Sequence, residues 1–225
     1  MYTLFFAPTP NGRKITLMLE ALGVAYQMIP INIRTGDQFL PSFLKVSPNN
    51  RMPALMDHET GINIFESGAI LTYLAEKHGQ FLPKEGAERY KVLEWLFWQM
   101  GGLGPMAGQN HHFNHYAPEV VPYGIKRYTE ETTRLYGVLE KQLAVHTFVA
   151  GEHYSIADMA IYPWVALYEH QKQDITQFPN IQRYLTMMAA RPDVKKAMEC
   201  FRDFDWEASL TEAALVQQIE ANKKL

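Results

Sequence analysis

Cysteine is nearly missing from this chain. Cys200 is the single one among 225 residues, which excludes an intrachain disulfide framework and is compatible with a reducing compartment. Long hydrophobic runs are missing too: no apolar stretch approaches the ~18 residues of a membrane-spanning helix. Charge of one sign is equally scarce. The formal net charge is -3, Lys and Arg are scattered, and no basic stripe interleaves with aromatics as nucleic acid recognition requires. The N-terminal Met1-Tyr2-Thr3-Leu4-Phe5-Phe6 is apolar, but it lacks a basic start and is soon interrupted by Pro8 and Pro10. It makes a poor signal peptide and a good first strand. Neither nucleic acid nor a membrane is expected as a partner, and the cytoplasm is the expected compartment. Internal repeats and low-complexity tracts are also lacking.

What is there describes a folded protein: 47% of residues are hydrophobic and 20% charged, proportions at which a chain buries a core rather than staying disordered. The length suits two small domains. Through residue 82 the elements alternate. Tyr2–Phe6 reads as a strand, ended by Ala7-Pro8-Thr9-Pro10-Asn11-Gly12. Arg13 to Leu22 carries Ile15, Met18, Leu19 and Leu22 at helical spacing, closed by Gly23. Tyr26–Ile31 is a second strand, and Pro30, with no N–H to donate, assigns it to a sheet edge. A loop-rich stretch from Arg34 to Ser47 holds one short helix around Pro41–Lys45. Ala54–Met56 and Ile62–Phe65 form a hairpin around Asp57-His58-Glu59-Thr60-Gly61. Ser67 caps a helix from Gly68 to Lys77. The order β-α-β-α-β-β-α predicts a thioredoxin-like α/β sheet over residues 1–82.

After the linker Leu82-Pro83-Lys84-Glu85-Gly86 the pattern turns all-helical, and residues 87–225 are expected to form a helical C-terminal domain. Tyr90–Met100, Tyr123–Leu143, Ile156–Tyr168, Phe178–Ala190 and Asp193–Phe201 are its helical segments; residues 202–225 carry no clear signal. Ser155 and Asp158 form a capping box, with Tyr154 and Met159 at the staple positions. Gly101-Gly102-Leu103-Gly104-Pro105 follows a helix, not a strand, so it reads as a break between helices rather than a phosphate loop. His111 and His115 lie one helical turn apart beside His112. No third ligand with characteristic spacing follows, so no metal is expected. Cys200 reads as a packing residue on a late helix.

Several strings together carry a resemblance. Pro8-Thr9-Pro10-Asn11-Gly12, Ser47-Pro48-Asn49-Asn50, Met52-Pro53 before the third strand, Phe65-Glu66-Ser67-Gly68-Ala69-Ile70, Trp95-Leu96-Phe97-Trp98-Gln99, and Gly101-Gly102-Leu103-Gly104-Pro105-Met106 followed by Gly108-Gln109-Asn110-His111-His112-Phe113 make residues 1–200 resemble glutathione transferases of the bacterial nu class. The resemblance implies a homodimer that uses glutathione as co-substrate. Members of that class look more like glutathione-dependent disulfide-bond reductases than ordinary conjugating transferases.

Glutathione is a small acidic peptide with a central thiol, and the resemblance assigns residues to each part of it. Glu66 would accept from the γ-glutamyl ammonium, and Ser67 with the amides of its helix would hold the γ-glutamyl carboxylate. Met52 would align the cysteinyl backbone, with Pro53, in the cis form, turning those groups outward. Gln38 would reach the glycine end, and Arg127 a carboxylate from the helical domain. Without the resemblance, Gln38 reads as a solvated loop residue, Arg127 as a surface arginine, and Asn11-Gly12 as a plain turn.

The thiol is decisive. Free thiols have a pKa of about 8.5 and are mostly protonated near neutrality, whereas the thiolate is the nucleophile. Thioredoxin-like oxidoreductases put a cysteine at the first turn of the first helix; here that turn reads Thr9-Pro10-Asn11. Thr9 and Asn11 can donate to a bound sulfur, helped by the helix N-terminus. The expected reaction is disulfide reduction by bound glutathione without a protein cysteine, with organic hydroperoxide reduction as a side activity. Two rivals remain. One is a conjugating transferase with an electrophile pocket lined by Trp95, Trp98, Phe113 and Tyr123. The other is a non-enzymatic scaffold that binds glutathione or a protein for regulation.

Overall fold

The computed structural model describes residues 1–205 and 208–223. The chain divides into two compact units, Met1–His78 with Pro192–Leu225, and Gly79–Arg191.

The first unit opens with β1 (Tyr2–Phe6), α1 (Pro10–Leu22), β2 (Tyr26–Pro30), the short α2 (Pro41–Leu44), β3 (Ala54–Asp57), β4 (Ile62–Phe65) and α3 (Ser67–His78). The strand order is β2-β1-β3-β4. β2 runs parallel to β1, with Phe6 opposite Pro30, and β3 and β4 run antiparallel to their neighbours. Pro30 lies on an edge strand, where its missing N–H leaves no gap in a ladder. β1 is central, and Leu4, Phe5 and Phe6 have no exposed surface. A left-handed Gly23 (φ 65°) ends α1, its N–H returning to the carbonyls of Glu20 and Leu19, the helix stop that glycine provides without a Cβ clash. At the far end of the sheet Asp57 accepts from the Tyr73 hydroxyl and the Lys77 ammonium.

The second unit is helical: α4 (Gly86–Trp98), α5 (Gly104–His111), α6 (Pro122–Leu143), α7 (Ile156–Val165) and α8 (Pro179–Ala190). Every residue of α7 is buried. Its capping box is formed, and Asp158 accepts from the amides of Val149 and Ser155, both at 2.9 Å, and from the Tyr184 hydroxyl at 3.3 Å. The Gly101–Pro105 stretch is not a break. Residues 99–103 form a π-helical turn that carries α4 into α5, and a second spans 112–116. Pro105 falls in the first turn of α5, where a missing N–H costs least. A Cβ on Gly104 would meet the Gln99 Nε2 at 2.6 Å and the Gln99 carbonyl oxygen at 3.2 Å, so a larger residue there would have to displace the Gln99 side chain.

The remaining helices are α9 (Pro192–Glu199) and α10 (Glu212–Asn222). Residues 87–225 were expected to form one helical domain, but both helices pack within the first unit. α9 lies on α1, where the Thr16 hydroxyl donates to the Ala197 carbonyl at 3.1 Å and Lys196 pairs with Glu20 at 2.6 Å. α10 packs on α2 and sends Leu215 and Ile219 into the cluster of Phe5, Ile29, Phe43 and Val46. The cause is nonlocal. Val194 with Ala197, and Leu215 with Ile219, are apolar pairs at helical spacing whose partners lie far back in the chain.

Candidate active site

Strand register gathers most of the candidate residues at one end of the sheet. Phe6 at the end of β1 is opposite Pro30, Phe5 is opposite Ala54, and Ala54 is opposite Phe65. The segments leaving or entering at that end are therefore the 7–12 turn, the 31–40 loop, Met52-Pro53, and Glu66-Ser67. Ligands of open α/β sheets bind at this kind of end, outside the carboxyl termini of parallel strands.

Thr9 is the N-cap of α1, and its hydroxyl oxygen accepts from the Gly12 amide at 3.2 Å. Accepting there leaves the hydroxyl proton available to donate to another partner. Asn11 follows in the first turn, half-buried. A Cβ on Gly12 would sit 2.3 Å from the Ala7 carbonyl oxygen, so glycine lets β1 turn tightly into α1. The Met52–Pro53 peptide is cis, and both residues precede the β3 ladder. Glu66 is exposed with φ 71°, a left-handed conformation uncommon for a residue with a side chain. Its carbonyl accepts the first bond of α3 from Ile70 at 2.9 Å, so Ser67 opens the helix from inside rather than capping it. Gln38 sits in a 3-10 turn, Asp37–Phe39. Its Nε2 donates to the Ile33 carbonyl at 3.3 Å, and its buried Oε1 has no hydrogen-bond partner among the described residues.

Lys14, which sequence reasoning passed over, is 1% exposed and donates to the Ser67 hydroxyl oxygen at 3.3 Å. Burial pulls its pKa from 10.5 down to about 7, and the Glu66 carboxylate partly opposes that. With its oxygen engaged by Lys14, the Ser67 hydroxyl proton is directed elsewhere. The available signal was positional: Lys14 lies four residues before Met18, on the buried face of α1.

Arg127 belongs to the other unit. It is exposed on α6 and lines a cleft of about 430 Å³ with Tyr123, Lys126, Glu130, Glu131 and Arg134. In that cleft Arg134 is paired with Glu131 at 2.7 Å, while Arg127 has no ion pair among the described residues. Of the aromatic side chains considered for an electrophile pocket, Trp95 and Trp98 touch edge to face with ring centroids 5.1 Å apart, and Phe113 stacks on Tyr128. The fold adds one histidine to the cluster that the sequence suggested. His170 lies 6.3 Å from His111 and 5.7 Å from His115, centroid to centroid. Burial and the neighbouring imidazoles lower the His111 pKa to about 4. No group of three or more His, Cys, Asp or Glu among the described residues is placed to hold a metal ion. No helix among them is long and apolar enough to cross a membrane. Cys200 is half-buried and its thiol donates to the Ala197 carbonyl at 3.4 Å. Burial raises its pKa, and its neighbours Tyr26, Glu20 and Lys196 mark the C-terminal end of α1, not the Thr9 end.

A thioredoxin-like sheet with these segments at one end, followed by a helical unit, defines a glutathione transferase. Residues 1–76 match the glutathione S-transferase N-terminal domain family and residues 125–192 the C-terminal domain family; the chain belongs to the glutathione S-transferases. It is 50% identical over 203 residues to the disulfide-bond oxidoreductase YfcG of Escherichia coli K12, covering 88% of this chain and 94% of that protein. A solved glutathione transferase family member from Pseudomonas fluorescens with two glutathione bound is 43% identical, with a TM-score of 0.83 over 88% of this chain and 92% of that one. A glutathione transferase from Pseudomonas putida, solved with one glutathione disulfide per subunit, is 41% identical, with a TM-score of 0.83 over 88% and 90%.

Proposed function

We propose that this protein is a glutathione-dependent disulfide-bond reductase that uses bound glutathione in place of a protein cysteine. The observation that carries the proposal is Thr9: its oxygen accepts from the Gly12 amide, which leaves its proton available to donate at the turn where thioredoxin-like oxidoreductases place a cysteine. Thr9 and Asn11 hold the glutathione sulfur as thiolate. That thiolate attacks one sulfur of a substrate disulfide, whose S–S bond breaks and whose other sulfur leaves as a thiolate to be protonated. A second glutathione thiolate then attacks the mixed disulfide, which gives glutathione disulfide and the second substrate thiol. Two electrons pass from two glutathiones to one disulfide. The similarity to YfcG, named a disulfide-bond oxidoreductase, and to relatives solved with two glutathiones or with glutathione disulfide supports this scheme.

In the same proposal Glu66 and Ser67 hold the γ-glutamyl end, Met52 and Pro53 the cysteinyl backbone, Gln38 the glycine end, and Arg127 a carboxylate. The protein acts as a cytoplasmic homodimer of the nu class and reduces organic hydroperoxides as a side activity. The test compares turnover of hydroxyethyl disulfide and of a chloronitroarene at saturating glutathione. Disulfide reduction dominates, and Thr9→Ala or Asn11→Ala lowers kcat by about 10-fold or more, the scale of one hydrogen bond to a charged group. A faster chloronitroarene reaction, or alanine variants with native kcat, would refute the scheme.

A further inference from the structure

We propose that the C-terminal segment, residues 208–222, is a positioning element for the glycine end of the glutathione site, latching the loop that carries Gln38. The inference rests on the assignment of Gln38 above. Both family matches end before this segment, at residues 76 and 192. It bonds to the loop on both sides of Gln38. Ahead of Gln38, the Asn32 side-chain amide donates to the Ala208 carbonyl at 3.2 Å. Asp37, itself 3% exposed, accepts from the Asn32 amide at 3.0 Å and from the Leu210 amide at 3.2 Å. Beyond Gln38, the Glu212 carboxylate takes the Ser42 amide at 3.2 Å and the Ser42 hydroxyl.

The latch is itself anchored. Thr211 caps α10 through the Ala214 amide at 3.2 Å, Leu215 and Ile219 are buried in the core of the sheet, and Asn222 donates to Thr3 at 3.1 Å. A loop tied by neighbours at residues 32, 37 and 42 cannot carry Gln38 freely. The cost of ordering that side chain for a ligand is met in the folded chain before the ligand arrives.

The test uses the full chain and two donors, glutathione and γ-glutamylcysteine, which lacks the glycine. In the native protein the KM for γ-glutamylcysteine exceeds that for glutathione, and Gln38→Ala removes most of that preference. Glu212→Ala raises the KM for glutathione about fivefold, the loss equivalent to one ordinary hydrogen bond, moves kcat far less, and draws the ratio of the two KM values toward one. Glu212→Gln keeps the side-chain shape and one acceptor oxygen; it gives an intermediate ratio and takes over the comparison if the alanine variant does not fold. Folded Glu212 variants that keep the native ratio would overturn the latch. A native protein that shows no preference tied to glycine, or a Gln38→Ala variant that keeps the native preference, would instead overturn the Gln38 assignment.

Discussion

Lys14→Met should make the protein more stable and a poorer binder of glutathione. An ammonium ordinarily titrating at 10.5 is drawn by burial to about 7, so the folded state resists charging a side chain that the unfolded chain holds charged. The sign follows from proton counts: between about pH 10 and pH 7 the unfolded chain binds more protons at this residue, so wild-type stability falls as pH falls. At ~1.4 kcal/mol per decade of pKa difference, the penalty reaches roughly 4 kcal/mol near pH 7 and levels off below it. Methionine fills similar volume with no charge. Ser67 gives up its Lys14 partner, 3.3 Å away, and an ordinary hydrogen bond contributes about 1 kcal/mol net. The net gain is about 3 kcal/mol at pH 7, or roughly 6–12 °C in melting temperature for a chain of this length. Thermal melts of both proteins from pH 6 to pH 10 should show the gap widening down to pH 7 and then holding constant, while the KM for glutathione rises several-fold in the variant. A variant that melts lower at every pH, or a gap that ignores pH, would refute the reasoning.

Other perturbations follow from the same structure. Asp158→Ala strips acceptors from Val149, Ser155 and Tyr184 and should destabilise by roughly 3 kcal/mol or more, at 1–3 kcal/mol for each buried donor left unpaired, read from denaturant midpoints. Gly12→Ala drives a Cβ to within 2.3 Å of the Ala7 carbonyl oxygen; moving that turn should cost about 1–3 kcal/mol of stability and displace Thr9, so kcat falls with it. Burial pushes the Asp57 carboxyl upward, but the Lys77 ammonium, the Tyr73 hydroxyl and the Glu59 amide outweigh it and hold the pKa at about 2. That stabilisation is present above the usual carboxylate range and is lost as pH falls through about 2. Asp57→Asn should therefore lower stability at neutral pH and flatten its acid limb, measured by melts from pH 5 to pH 2.

Local signals were legible and distant pairings were not. Gly23, Pro30 and the Ser155/Asp158 box each act within a few residues, and each sits where the sequence put it. The helical spacing of Val194 and Ala197, or of Leu215 and Ile219, shows that a face is buried but not what covers it; only the fold sends those faces to the first unit. Gly101-Gly102 carried the ordinary meaning of a helix break. A π-helical turn over 99–103 carries the helix through instead, a geometry no pattern announces. Thr9, Asn11, Met52, Pro53, Glu66, Ser67 and Gln38 share one end of the sheet through a strand order that only the fold reveals; in the sequence only the resemblance gathered them. Lys14 escaped because a lysine in a helix is usually solvated, and His170 because it reaches His111 and His115 from 55 or more residues away.

The central claim is that the reactive sulfur comes with glutathione. The most direct measurement is reduction of hydroxyethyl disulfide at saturating glutathione by the Cys200→Ser protein, which has no cysteine at all. Turnover within twofold of the native rate is the predicted result, and a loss of ~100-fold or more in a folded variant, the size expected when a nucleophile is removed, would contradict it.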